Sequence, residues 1–257
     1  MTLPKKITVA SQKGGVAKTT TCVSVGANLV EMGYRVLLID LDPQAHLTIS
    51  SGLAPGEHGA SVVEVLLGEA PIKRIIRETG VPNLHLALAD QKLSLLDKRL
   101  YGREDYEHLL EAALKTIDPG FYDTIIVDCP PFLGTLMLNA LTVAEMLIIP
   151  TQCEYYASRS LRQMLELVQM VRQKTNPNLA YRVLITMFDK RSRLNRRIQK
   201  QMKDWLERGL LQTVVEMDAK LRESAALGQP ITQYAPKARA AIQYRALAQE
   251  LIDIERE

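Results

Sequence analysis

The chain is poor in cysteine and has no long apolar run, and each lack removes a class of protein. Its three cysteines, Cys22, Cys129 and Cys153, stand far apart with no C-x-x-C pair, so neither a disulfide framework nor a metal knuckle is implied. Three small buried residues are expected instead. No stretch approaches the roughly 18 apolar residues of a membrane span, and the apolar run within "MTLPKKITVASQ" is too short for a signal peptide. The expected location is the cytoplasm. Charge of one sign is also scarce: 32 Lys and Arg face 29 Asp and Glu, a formal net charge of +3. That balance establishes no nucleic-acid partner, so an electrostatic argument must rest on where charges cluster. The sequence shows no internal repeat, low-complexity tract or linker.

What is present suits one sizeable core. A length of 257 residues, 47% of them hydrophobic and 24% charged, predicts one soluble domain over 1–257. Short runs rich in Val, Ile and Leu at 7–10, 35–40, 84–89, 124–128, 146–150 and 181–187 read as buried strands. Between and after them, 18–32, 104–117, 133–144, 157–175, 193–208 and 237–256 carry helical spacing. Strands alternating with helices predict an α/β fold, a single-domain, doubly wound, mainly parallel sheet covered on both faces. The Gly and Pro of "SSGLAPGEHGAS" (50–61) mark a loop.

In such a sheet, ligands sit at the C-terminal ends of the strands. The first strand runs directly into "SQKGGVAKTTT" (11–21), which resembles a phosphate-binding loop yet departs from G-x-x-x-x-G-K-[ST], having Gln12 and Ala17 where glycine is usual. Gly14 and Gly15 let successive N–H groups face an anion, and the helix beginning near Lys18 adds its positive end. Residues Lys13, Gly14, Gly15, Val16, Ala17, Lys18, Thr19 and Thr20 are thus the candidate nucleotide-binding set. Within it, Lys18 can reach β- and γ-phosphates and the Thr19 hydroxyl can ligate Mg²⁺. The missing glycines are tolerable if the backbone there has negative φ. A turn that merely joins strand to helix would not need two lysines.

Two further strands end in acids. Asp40 and Asp42 in "DLDPQ" lie on the same side of an extended chain, where a carboxylate could orient a water for in-line attack or hold the metal shell. Asp128 in "DCPP" is placed to support Mg²⁺. The competing reading, that such aspartates only cap helices, is weakened by two of them accompanying a phosphate loop.

"KGGVAKTT", "LLIDLDPQ", "DCPPFLGTLMLNALTVAEMLIIPTQCEYYASRSL", "LITMFDKR" and "LGQPI" stand in that order along nearly the whole chain. In them the sequence resembles the ParA/MinD group of deviant Walker P-loop NTPases, and within it the Soj-like ParA partition proteins. The resemblance implies an ATP- and Mg²⁺-dependent homodimer in which Lys13 reaches the partner's nucleotide, Lys18 and Thr19 bind phosphate and metal, Asp42 assists hydrolysis, and Asp128 supports the metal. It also implies slow hydrolysis, stimulated by a ParB-like protein. Ala17, and Ala45-His46 where Gly-Asn is common, depart from the group's pattern and bear on turnover more than on binding.

The segment 189–209 concentrates Lys190, Arg191, Arg193, Arg196, Arg197, Lys200 and Lys203. On a helix, Arg193, Arg196, Arg197 and Lys200 share one face, while Ile198, Met202, Trp205 and Leu206 share another that reads as core packing. The basic face is either solvated or a contact for double-stranded DNA of any sequence. The resemblance favours DNA, mapping contacts onto Arg191 and Lys220, and with it a nucleoid-associated protein; Arg222 departs from the pattern around Lys220. No helix-turn-helix segment precedes the loop, which disfavours operator recognition. A MinD-type membrane cycle is the rival reading, but Glu250, Asp253, Glu255 and Glu257 would repel anionic lipid, and no membrane partner is expected. An iron–sulfur reductase would need paired interface cysteines, and a GTPase an N-K-x-D motif. The cargo stays open between a chromosome, a plasmid and a protein assembly such as a carboxysome or chemoreceptor cluster.

Overall fold

A computed structural model describes residues 3, 5–56, 59–100, 102–155 and 157–254. In chain order the strands are β1 (Lys6–Val9), β2 (Val36–Asp40), β3 (Ile76–Glu78), β4 (Leu84–Ala87), β5 (Thr124–Asp128), β6 (Met146–Thr151), β7 (Ala180–Phe188) and β8 (Leu210–Glu216). They form one sheet in the order β3-β4-β2-β5-β1-β6-β7-β8, parallel throughout except for the β3–β4 pair. The helices are α1 (Lys18–Glu31), α2 (His46–Ser50), α3 (Val62–Leu67), α4 (Leu96–Leu100), α5 (Leu109–Leu114), α6 (Thr135–Val143), α7 (Ala157–Lys174), α8 (Arg193–Leu206), α9 (Ala219–Ala226), α10 (Ile231–Tyr234) and α11 (Arg239–Asp253).

Burial explains the layering. β2 and β5 are buried at every position, as strands covered on both faces must be. One core packs Leu66, Leu110, Met137, Leu141, Met164 and Met202 against the sheet. A second core, on the other face, packs Val25, Leu29, Tyr244, Leu247 and Leu251 from α1 and α11. The doubly wound α/β reading is therefore correct, and all three cysteines are buried. Burial pushes the Cys22 and Cys129 thiols well above their ordinary range, which keeps them inert.

Several expectations need correction. The helix expected over 104–117 is a 3₁₀ turn at Tyr106–His108 followed by the short α5. The loop expected over 50–61 begins with the last residue of α2 and ends at Ser61, which caps α3 in a reciprocal box with Glu64; Glu57 and His58 lie outside the described residues. Trp205 does not join the core but is 45% exposed, with the Arg162 guanidinium 5.9 Å from its ring centroid.

Strands β3 and β8 carry no clear sequence signal. β3 has three residues, none buried. β8 is an edge strand whose pairing with β7 is irregular, and its free N–H groups are met by side chains of α11. The Glu250 carboxylate accepts from Gln212 N at 2.6 Å and Thr213 N at 2.9 Å, and Gln243 Oε1 accepts from Glu216 N at 2.9 Å. The acidic tail is thus partly structural, although Glu255 and Glu257 lie outside the described residues. Glu250→Ala is expected to cost about 2 kcal/mol, since it strands two donors that face a charged acceptor; urea unfolding measures it, and an unchanged midpoint would contradict this role.

Candidate nucleotide site and basic surface

β5 lies between β2 and β1, so the C-terminal ends of these three strands meet at one place. Asp40 is in register with Asp128, and Asp128 with Val9; the loop 10–17 leaves β1 beside them. Gly15 has φ +71, and a Cβ added at Gly14 or Gly15 would meet nothing within 4 Å, which leaves the loop backbone open to a ligand. The loop is pinned from outside: the Thr186 hydroxyl donates to the Val16 carbonyl at 3.0 Å, and Gln152 Nε2 to that of Gly15 at 3.1 Å. Gln152 immediately follows β6, so inspecting the residues after each apolar run would have found it.

The negative φ expected where the loop lacks glycine fails at Ala17, although Gln12 is not among the residues with positive φ. Ala17 has φ +65 and Ala45 φ +52, both left-handed. Each alanine therefore stands where glycine is at ease, because a Cβ in that region costs roughly 1–2 kcal/mol. Glycine loses more chain entropy on folding, about 0.5–1 kcal/mol, so Ala17→Gly and Ala45→Gly are each expected to stabilise the fold by about 0.5–1 kcal/mol. Denaturant unfolding of the single variants checks this; a loss of stability in either would contradict the strain argument.

Lys18 is buried, its ammonium 3.5 Å from the Lys13 carbonyl. The Thr19 hydroxyl donates to Asp128 Oδ2 at 2.6 Å, while Asp128 Oδ1 is buried with no hydrogen-bond partner among the described residues. Lys13 does not point into this cradle. Its ammonium donates to Gln152 Oε1 at 2.7 Å and pairs with Glu154 at 2.5 Å.

The two acids after β2 take different work. Asp40 is fully buried, accepting from Asp42 N, Thr48 N and the Thr48 hydroxyl at 3.0, 2.8 and 2.8 Å; it shapes the 40–48 loop and does not line the cavity. Asp42 lines the cavity and accepts from Gln44 N at 2.9 Å. Burial raises the Asp40 carboxyl to about 7, against the pull of the Thr48 bonds. Burial, then the neighbouring Asp40 charge, raises Asp128 to about 8.

A cavity of about 590 Å³ runs from Gly14, Lys18, Thr19 and Thr20 past Asp42 to Met187, Glu216, Met217 and Leu221, with Asp40 and Asp128 buried behind its wall. Val16 is buried beneath the loop. The basic candidates gather elsewhere on the surface. Arg193, Arg196, Arg197, Lys200 and Lys203 are exposed on α8. Lys190 pairs with Glu216 at 3.5 Å, Arg191 with Asp189 at 3.2 Å, and Lys220, on α9, with Glu223 at 2.7 Å.

A family model described as an AAA domain matches residues 4–181. The sporulation initiation inhibitor protein Soj of Bacillus subtilis is 38% identical over 248 residues, covering 96% of this chain and 98% of Soj. The chain belongs to the ParA/MinD family. Within that family, the chromosome partitioning protein ParA of Myxococcus xanthus is 34% identical over 252 residues, 98% of this chain and 89% of that one. Among solved structures, a Mycobacterium smegmatis protein described as cobyrinic acid a,c-diamide synthase, with ADP and magnesium bound, is 37% identical with a TM-score of 0.86 over 100% of this chain and 96% of its own. The septum site-determining protein MinD of Pyrococcus horikoshii, with Mg-ADP, has a TM-score of 0.78 at 24% identity over 99% and 98% of the two chains, a likeness of fold alone.

Proposed function

We propose that the chain, one ATPase domain over 1–257, binds ATP with Mg²⁺, dimerises in that state, and as a dimer binds double-stranded DNA without regard to sequence. Hydrolysis is slow and is stimulated by a ParB-like partner, which releases the DNA. In this reading the protein is a cytoplasmic, nucleoid-associated one. The observation that carries it is the division of labour between two lysines: Lys18 sits in its own cradle, whereas Lys13 lies outside it.

The residues fit the implied group. Asp128 Oδ1, buried and without a hydrogen-bond partner among the described residues, suits a water on Mg²⁺, and the Thr19 hydroxyl beside it suits direct ligation. Bound there, Mg-ATP would supply the phosphoryl group and the cation that offsets its charge. The loop N–H groups and Lys18 hold phosphate oxygens, Asp42 positions a water through the oxygen its Gln44 bond leaves free, and Lys13 completes the site of a second copy. Phe132 and Leu133, 43% and 53% exposed in the loop after Asp128, give that second copy an apolar surface. The described part of the tail supports DNA over membrane, since the apolar side of α11 is already packed against the sheet.

Asp42→Ala tests the assignment: turnover should fall at least about a hundredfold, with ATP-dependent dimerisation and DNA binding retained. Undiminished phosphate release would remove Asp42 from the mechanism.

A further inference from the structure

At the end of β8, Glu216 joins the nucleotide cavity to the basic surface. Its side chain is 17% exposed, less than either of the acids that pair with Arg191 and Lys220. One oxygen, Oε2, lies 3.1 Å from Arg239 Nη1 and 3.5 Å from Lys190 Nζ. The other accepts from Gln243 Nε2 at 3.1 Å. Arg239 also donates to the Met217 carbonyl at 3.1 Å, and Arg196 to the Lys190 carbonyl at 2.9 Å, so the cluster is continuous with the basic face of α8. Glu216, Met217 and Asp218 in turn form part of the cavity wall.

We infer that Glu216 is an internal competitor for DNA phosphate: it occupies Lys190 and Arg239 until a phosphodiester takes its place. This rests on the DNA-binding reading above, and it adds Arg239, remote in sequence from the α8 cations, to the contact surface. The charges suit an exchange. Two cations around one carboxylate keep a net charge of +1, enough to attract a phosphate, while the paired carboxylate lowers the affinity. The Asp189 and Glu223 pairs are exposed and hold one cation each, and pairs of that kind are worth little. Glu216 is more buried, pairs twice and is locked by Gln243. Its place on the cavity wall gives nucleotide a direct route to the exchange: a ligand against Met217 and Asp218 bears on the strand end that aims Glu216.

Anisotropy titrations of the full chain against a duplex of arbitrary sequence, at several KCl concentrations, test this. With ATP and Mg²⁺, Glu216→Gln keeps an acceptor for Gln243 and should bind about fivefold tighter than wild type, with a log–log salt slope steeper by about 1. A Lys190→Gln/Arg239→Gln variant, assayed with ATP and Mg²⁺, should bind more weakly, with a slope shallower by about 2. Wild-type affinity and slope in both variants, with wild type still binding DNA in ATP, would overturn the role of Glu216 and leave the DNA reading standing. Should Glu216→Gln fail to fold by its melting curve, the double variant alone decides. No DNA binding by wild type in any nucleotide state would end the DNA reading, and this inference with it.

Discussion

Lys13→Ala is expected to leave ATP affinity within about threefold of wild type while weakening ATP-dependent dimerisation at least about a hundredfold, the scale set by truncating one partner of a buried charge pair across an interface. The first half follows from where the side chain lies. Its ammonium is held by Gln152 and Glu154 at the end of β6, whereas the cradle of its own subunit is built from Lys18, Thr19 and the loop backbone. The second half follows from what such a cradle lacks. A triphosphate brings about four negative charges, more than Mg²⁺ and one buried lysine offset, and the lysine of a second copy can supply the remainder. Sedimentation of the variant with a slowly hydrolysed ATP analogue reads both halves, and a wild-type dimer would contradict the account.

The other large effect is on stability. Asp128 is buried, and its carboxyl is raised from an ordinary 3.8 to about 8 by burial and then by the charge of Asp40. Below about pH 4 the group is protonated in both folded and unfolded chains and contributes no difference. Between about pH 4 and 8 the folded chain binds the extra proton, so stability falls with rising pH, by at most about 1.4 kcal/mol per unit. Asp128→Asn removes this dependence while keeping an acceptor for Thr19. Without nucleotide, the variant should match wild type near pH 4 and exceed it by about 3 kcal/mol near pH 8, a discounted value because Asp40 titrates beside it. It should also lose most of the stabilisation that Mg-ATP gives wild type, as linkage requires of a weakened site. Urea unfolding at the two pH values, with and without Mg-ATP, measures all three. A gain independent of pH would contradict the buried-acid argument.

What the sequence made legible was local. Strand ends followed by Gly-Gly, Lys18-Thr19, Asp42 and Asp128 could be placed at one end of the sheet because a parallel sheet fixes where its strands end. What it hid depends on partners far away in the chain. β8 is ordered by Gln243 and Glu250, more than twenty residues beyond it. The two bonds that Thr48 makes to the buried Asp40 require it to fold back onto that acid, so Asp40 and Asp42 look equivalent until the loop is seen. The left-handed backbone at Ala17 and Ala45 is invisible because an alanine gives no sign of φ. Helical spacing put Trp205 with Met202 and Leu206, but the apolar arc of α8 is narrower than that, and the indole lies outside it under Arg162. The pairing of Lys190 with Glu216 was hidden for the same reason: the acid comes from the next strand and not from the basic segment itself.

The central claim is that nucleotide state decides DNA occupancy, and the most direct measurement is binding to an unrelated duplex with ATP, with ADP and with no nucleotide, at two salt concentrations, beside anionic liposomes. DNA binding in ATP alone, weakened by salt, with no liposome binding, is the expected result. Liposome binding without DNA binding, or DNA binding indifferent to nucleotide, would contradict it.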